Sequence, residues 1–125
     1  MSRKILIVDD DDIVVFIHSL LIKDSGLTDQ PLVFKNGKTA FEFISDQETG
    51  EDKFIVFLDL NMPVMDGWQF LRLIEDFKKD ISVVIVSSSI DPTDLQKARA
   101  FSKVTRFIEK PLSLEACTEI RDRLN

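Results

Sequence analysis

The chain has 125 residues, 44% of them hydrophobic and 30% charged, with a formal net charge of −6. That length fits one domain, 1–125, with a proper core, and the acidic balance disfavours nucleic acid and anionic membrane surfaces and favours protein partners. No apolar stretch approaches the roughly 20 residues needed to cross a bilayer, Cys117 is alone and excludes an internal disulfide, and Met1-Ser2-Arg3-Lys4 leads into a strand with no cleavage pattern, so the cytoplasm is expected.

Strand and helix patterns alternate along the chain. Ile5-Leu6-Ile7-Val8 is a short continuous apolar run, as in strands buried on both faces of a parallel sheet, and it stops at Asp9-Asp10. Ile13 to Lys23 carries apolar residues at helical spacing, with Ile13, Ile17, Leu20 and Leu21 expected on the buried side, and Gly26 is a plausible stop. Asp11 and Asp12 read as an acidic start to that helix. Pro31 to Phe34 is a second strand, Asn36-Gly37 a turn signal, and Thr39 to Ile44 a short helix. Gln47 to Lys53 is polar and loop-like. Phe54 to Leu58 is the third strand, ending at Asp59, and Asp66-Gly67 closes its loop as a turn and helix cap. A helix over about Trp68 to Phe77 follows, with Phe70, Leu71, Ile74 and Phe77 near 3.6 spacing. Val83 to Val86 is a strand ending at Ser87. Asp91-Pro92-Thr93-Asp94 starts a helix with an Asp cap and Pro in the first turn. Arg106 to Glu109 is the fifth strand and leads to Lys110-Pro111. Ser113 caps a last helix with Leu114, Cys117, Ile120 and Leu124 as its expected buried stripe.

Five βα units predict an α/β sandwich, a parallel sheet between two helical layers with right-handed crossovers, and a flavodoxin-like strand order 2-1-3-4-5 fits. Parallel strands align their C-terminal ends, so Asp9, Asp10, Asp59, Ser87 and Lys110 should meet at one sheet edge. Three carboxylates there repel one another, and a hard divalent cation such as Mg²⁺ relieves the conflict. A hydroxyl and an ammonium beside them complete a clamp for a phosphoryl group. Asp59 is the best nucleophile, on the most central strand with the longest loop. A cis bond at Lys110-Pro111 would help aim the lysine inward.

Ile-Val-Asp9-Asp10, Leu-Asp59-Leu-Asn61-Met-Pro63-Val-Met-Asp66-Gly67, Val-Ser87-Ser88 and Glu-Lys110-Pro111 together resemble the receiver domain of two-component response regulators, over essentially the whole chain. The resemblance implies that Asp59 is the phosphoacceptor, that Asp9, Asp10, Asp59 and the backbone carbonyl of Asn61 hold Mg²⁺, and that Ser87 and Lys110 contact the phosphoryl group. It implies a switch in which Ser87 moves inward and Phe107, where Tyr is frequent, rotates behind it; Phe107 reads equally well as a core aromatic. The donor would be a sensor histidine kinase or histidine phosphotransfer protein, and the output a protein-binding surface around the fourth helix, fifth strand and fifth helix. The protein target is unspecified, and Asn61 and Ser89 flank the reacting groups where the family tunes phosphoryl lifetime. The chain is then a signalling protein and not an enzyme, beyond self-catalysed phosphotransfer and dephosphorylation. With no output segment after Leu124-Asn125, a stand-alone regulator is expected over an excised domain.

The alternative is a Mg²⁺-dependent phosphohydrolase working through an aspartyl phosphate, like haloacid dehalogenases. That chemistry uses a second Asp two residues after the nucleophile, where this chain has Asn61. A flavin-binding module would need a hydroxyl-rich loop where Asp9 to Asp12 stand. His18 is expected to be solvated or half-buried, Cys117 a small core residue, Trp68 a packing residue at the start of its helix, and Met62 and Met65 loop packing.

Overall fold

A computed structural model describes residues 3–47, 52–88 and 91–124. The elements run β1 (Arg3–Val8), α1 (Asp12–Ser25), β2 (Leu32–Phe34), α2 (Gly37–Asp46), β3 (Lys53–Leu58), α3 (Gly67–Ile74), β4 (Asp80–Ser87), α4 (Pro92–Ala98), β5 (Val104–Glu109) and α5 (Leu114–Leu124). The strands form one parallel sheet in the order β2-β1-β3-β4-β5, the flavodoxin-like order.

The period-2 alternation of each strand divides the core between the two faces. Leu6, Val8, Phe54, Val56, Leu58, Val83 and Ile85 join Ala40 and Ile44 of α2, Phe70, Leu71 and Ile74 of α3 and Ala98 of α4. Ile5, Ile7, Ile55, Phe57, Val84 and Val86 join Ile22 of α1 and Ala116, Cys117 and Ile120 of α5. Strands buried on both sides explain why the apolar runs are continuous.

Local chemistry sets the element ends. Asp11 caps α1 by accepting from the N–H groups of Ile13 and Val14, and Gly26 ends it at φ 84°, a left-handed position that suits glycine. Asn36 is not in a free turn but caps α2, accepting from the Thr39 N–H at 3.0 Å. Asp66 and Gln69 form a reciprocal capping box at the start of α3. Sequence boundaries move by a few residues: α3 ends at Ile74 and not Phe77, β2 begins at Leu32, and β5 begins two residues early at Val104. Phe77 still packs on the core, its ring 5.4 Å from that of Phe41. Between β4 and β5 the register shifts, Val83 facing Val104 and Val84 facing Arg106, so Thr105 is an extra residue in β5.

Two expectations about helix faces fail. On α1 the inward stripe is His18, Ile22 and Ser25, while Ile13 is 72% exposed, Phe16 65%, Ile17 44% and Leu20 46%. The helix carries apolar residues nearly all round, so its pattern could not fix which face meets the sheet. On α5 Leu114 is 46% exposed and Ala116 takes its place beside Cys117 and Ile120. His18, expected to be solvated or half-buried, is buried, and burial lowers its pKa against a smaller raising effect of the Asp9 charge.

Candidate functional site

The register of the sheet assembles the site. Val8 pairs with Leu58, so Asp9 and Asp59 leave adjacent strands at the same height. The Asp59 N–H donates to the Val8 carbonyl at 2.9 Å and the Asp9 N–H to the Phe34 carbonyl at 3.0 Å, which extends the ladder by one residue at each strand end. Beyond β3, β4 delivers Ser87, and the Lys110 N–H donates to the Ser87 carbonyl at 2.7 Å. The Lys110-Pro111 peptide is cis.

The side chains converge in a cleft. Asp9, Asp10 and Asp59 present carboxylate oxygens that all lie within 4.8 Å of one another. Asp9 and Asp59 are buried and Asp10 is exposed, so one wall of the cluster is open to solvent. The Lys110 ammonium bridges the two buried acids, 3.1 Å from Asp9 Oδ2 and 3.5 Å from Asp59 Oδ1. Asp9 Oδ1 accepts from the Asp11 N–H at 3.0 Å, which aims the remaining oxygen at the lysine.

These contacts set the protonation balance. Burial raises the Asp59 pKa and the Asp9 charge raises it further, while Lys110 and an N–H donated by Asn61 oppose them. Burial alone would lower the Lys110 pKa, but its hydrogen bond to Asp9 and the two carboxylate charges outweigh it and the net shift is upward. The upward shift favours the ammonium form of Lys110, and burial and the Asp9 charge disfavour the ionised form of Asp59, an effect that a nearby cation would offset.

The loop after Asp59 is built around close backbone approach. A Cβ on Gly67 would lie 2.7 Å from the Asp59 carbonyl oxygen and 2.8 Å from Leu60 Cα, and the Gly67 N–H donates to the Leu60 carbonyl at 2.9 Å. Glycine at 67 thus lets α3 start directly against the end of β3. The sequence suggested only a turn and cap there. Between these anchors Val64 sits at φ 69°, costly for a β-branched residue, with the Met65 N–H donating to the Pro63 carbonyl at 2.7 Å across it. No sequence signal marked that turn, since glycine or asparagine would be its usual occupant.

The other singled-out residues fall as follows. Ser87 is buried at the end of β4. Phe107 is half-buried on β5 and packs against the α2-α3-α4 side of the core. Asn61 is exposed beside the cluster, and Ser89 lies outside the described residues. Cys117 is fully buried, which pushes its thiol up to about 11 and makes it an inert core residue. Trp68 lies in the first turn of α3, its ring 6.2 Å from that of Phe101 and 4.3 Å from the Lys97 ammonium. Met62 and Met65 pack on the core edge.

A parallel sheet with an acidic pocket, a hydroxyl residue and a lysine at its carboxyl edge is an arrangement suited to a signalling receiver. A sequence model described as the response regulator receiver domain matches residues 5–122, and the chain belongs to that family. It is 30% identical over 123 residues to the sporulation initiation phosphotransferase F of Bacillus subtilis, covering 98% of this chain and 90% of that protein. It is 31% identical over 110 residues to the two-component response regulator ARR22 of Arabidopsis thaliana, covering 88% and 75%. A crystal structure of a two-component response regulator from Cytophaga hutchinsonii superposes with a TM-score of 0.83 at 27% identity, covering 98% of this chain and 96% of that one.

Proposed function

We propose that this chain, as a single receiver domain over 1–125, takes a phosphoryl group from a partner phosphohistidine onto Asp59 in a Mg²⁺-dependent reaction, and that the phosphorylated form presents an altered protein-binding surface. The observation that carries this reading is the position of Asp59, buried, 3.5 Å from Lys110 and within a three-carboxylate cluster open on one side.

The donor set fits a hard cation. Asp9, Asp10 and Asp59 offer only oxygens, and an octahedral ion at ~2.1 Å from each holds neighbouring ligand oxygens roughly 3–4 Å apart, within the observed spread of 4.8 Å. The Asn61 carbonyl, two residues beyond Asp59, would complete the protein's share. Bound Mg²⁺ would supply positive charge against the phosphoryl oxygens and orient them. An Asp59 carboxylate oxygen attacks phosphorus in line. The P–N bond of the phosphohistidine breaks, its electron pair returns to the imidazole, and the P–O bond of the aspartyl phosphate forms. Lys110 pairs with the phosphoryl oxygens from the side of β5, and the Ser87 hydroxyl meets them from β4. Asn61 has a carboxamide with no acidic proton and cannot act as general acid to a leaving group, which suits retention of the phosphoryl group over turnover.

Two surfaces serve this cycle. The apolar outer side of α1, Ile13, Phe16, Ile17 and Leu20, continues into a groove where Ile17 and His18 face Lys110 and Pro111. A donor whose histidine reaches Asp59 covers that side, so we assign it to the kinase or phosphotransfer partner. On the other side Phe107 borders a cavity of about 220 Å³ with Leu95 and Ala98 of α4. That space beside the ring supports Ser87 and Phe107 as the switch pair and α4, β5 and α5 as the output surface. A cytoplasmic location goes with such a partner as part of the same reading.

Incubation with Mg²⁺ and acetyl phosphate is expected to add one phosphoryl group, seen by intact mass. Asp59→Asn abolishes it, and labelling that persists in that variant would refute the assignment. Asp10→Ala is expected to weaken Mg²⁺ binding, followed by Trp68 fluorescence or calorimetry.

A further inference from the structure

We propose that the cavity under the C-terminal half of α5 is a binding site for a small carboxylate bearing an apolar ring or chain. This cavity, about 240 Å³, lies at the sheet edge opposite the acid cleft, between the first halves of β3, β4 and β5 and the last turns of α5.

Its floor is apolar. Ile55 of β3 and Val84 of β4 meet Ile120 and Leu124, which lie one turn apart on one side of α5. The β5 irregularity contributes to its shape, since the extra residue Thr105 lines it together with Ser82. Thr105 turns its hydroxyl to the Val83 carbonyl at 3.3 Å, so the strand edge is satisfied without a ligand.

Its rim is basic in a chain of net charge −6. Lys53, Arg106 and Arg123 all line it. Lys53 pairs with Asp80 at 3.2 Å and Arg106 with Glu119 at 3.1 Å, and their side chains are only 28% and 26% exposed. Arg123 makes no ion pair or hydrogen bond among the described residues. Asp80 and Glu119 neutralise the first two cations, so the uncompensated positive charge at the rim is that of Arg123, an exposed residue lining the cavity beside its apolar floor. A carboxylate fits the Arg123 guanidinium bidentately, and a ring or short chain attached to it covers Val84 and Ile120. The volume limits the ligand to a small molecule, below the usual drug-sized range. None of the lining residues belongs to the phosphoryl site.

The test is a titration of the isotope-labelled 125-residue chain with benzoate, read by amide chemical shifts, with benzyl alcohol as the uncharged counterpart. The expected result is saturable shifts centred on Ile55, Val84, Arg106 and Ile120, with a low-millimolar dissociation constant for a ligand of this size. Benzyl alcohol is expected to bind about tenfold more weakly, and Arg123→Ala to weaken benzoate by about the same factor. Shifts without saturation by about 50 mM, shifts centred elsewhere, or equal affinity for the alcohol or in the variant would each overturn the proposal. Arg123 is exposed, so its replacement leaves the fold intact, and the alcohol comparison needs no variant at all.

Discussion

Helices α1 and α3 follow the two strands that carry the buried acids, and they use apolar residues in opposite ways. On α3, Phe70, Leu71 and Ile74 are buried in the core. On α1, four large apolar side chains face outward, while the inward stripe contains a histidine and a serine. Ser25 satisfies itself by donating to the Ile22 carbonyl at 2.8 Å, and Arg121 of α5 donates to the Ser25 carbonyl at 2.6 Å. The lesson is that α3 spends its hydrophobicity on holding β3 in place, whereas much of that on α1 stays at the surface, on the side proposed above for the phosphodonor.

The contrast can be broken by substitution. Phe70→Ala should cost about 3–5 kcal/mol by leaving a cavity in a fully buried site, measured by urea unfolding; a cost below 1 kcal/mol, roughly that of a surface change, would remove α3 from its structural role. Gly67→Ala should cost about 1–3 kcal/mol, because the new Cβ collides with main-chain atoms of Asp59 and Leu60, and it should slow acetyl phosphate labelling by displacing the acceptor. Asp59→Asn should stabilise the metal-free protein at neutral pH. The sign follows from its raised pKa: the folded state holds that proton more tightly than the unfolded chain, so the favourable contribution is complete below the usual value near 3.8 and is lost as pH rises through the folded value. The gain from Asn should therefore shrink on acidification, and a pH-independent gain would point to packing instead. The smallest expected effect on stability is on α1. Phe16→Ser and Ile17→Ser should each change it by no more than ~0.5 kcal/mol, leave acetyl phosphate labelling intact and slow transfer from a histidine phosphodonor. Equal loss with both donors would dissolve the distinction between the two helices.

The sheet and its carboxyl-edge cluster were legible in the sequence because β1, β3 and β4 each contain a short run of Val, Ile, Leu and Phe that stops at a polar residue, while β5, interrupted by Thr105 and Arg106, gave only its Phe107-Ile108 end. The resemblance then implied the roles proposed for Asp9, Asp10, Asp59, Ser87 and Lys110. The faces of α1 were not legible, since apolar residues occur at nearly every angle of that helix and only packing against α5 and the sheet selects Ile22 over Ile17. His18 was hidden for the same reason: a lone histidine carries no periodic signal. Gly67 read as a turn because the proximity of Asp59 is a tertiary fact, and Val64 gave no hint of a left-handed backbone because its residue type argues against one.

The main-chain bond between Lys110 and Ser87 has a temporal consequence. The hydroxyl residue and the ammonium hang from opposite ends of one 2.7 Å hydrogen bond, so the two walls of the cleft cannot part while it persists. Any opening that separates them exposes the Lys110 amide to solvent, and deuterium uptake at that single position becomes a clock for the cleft. Uptake slower in the phosphorylated protein than in the unmodified one would mean that the modification latches the two strand ends together.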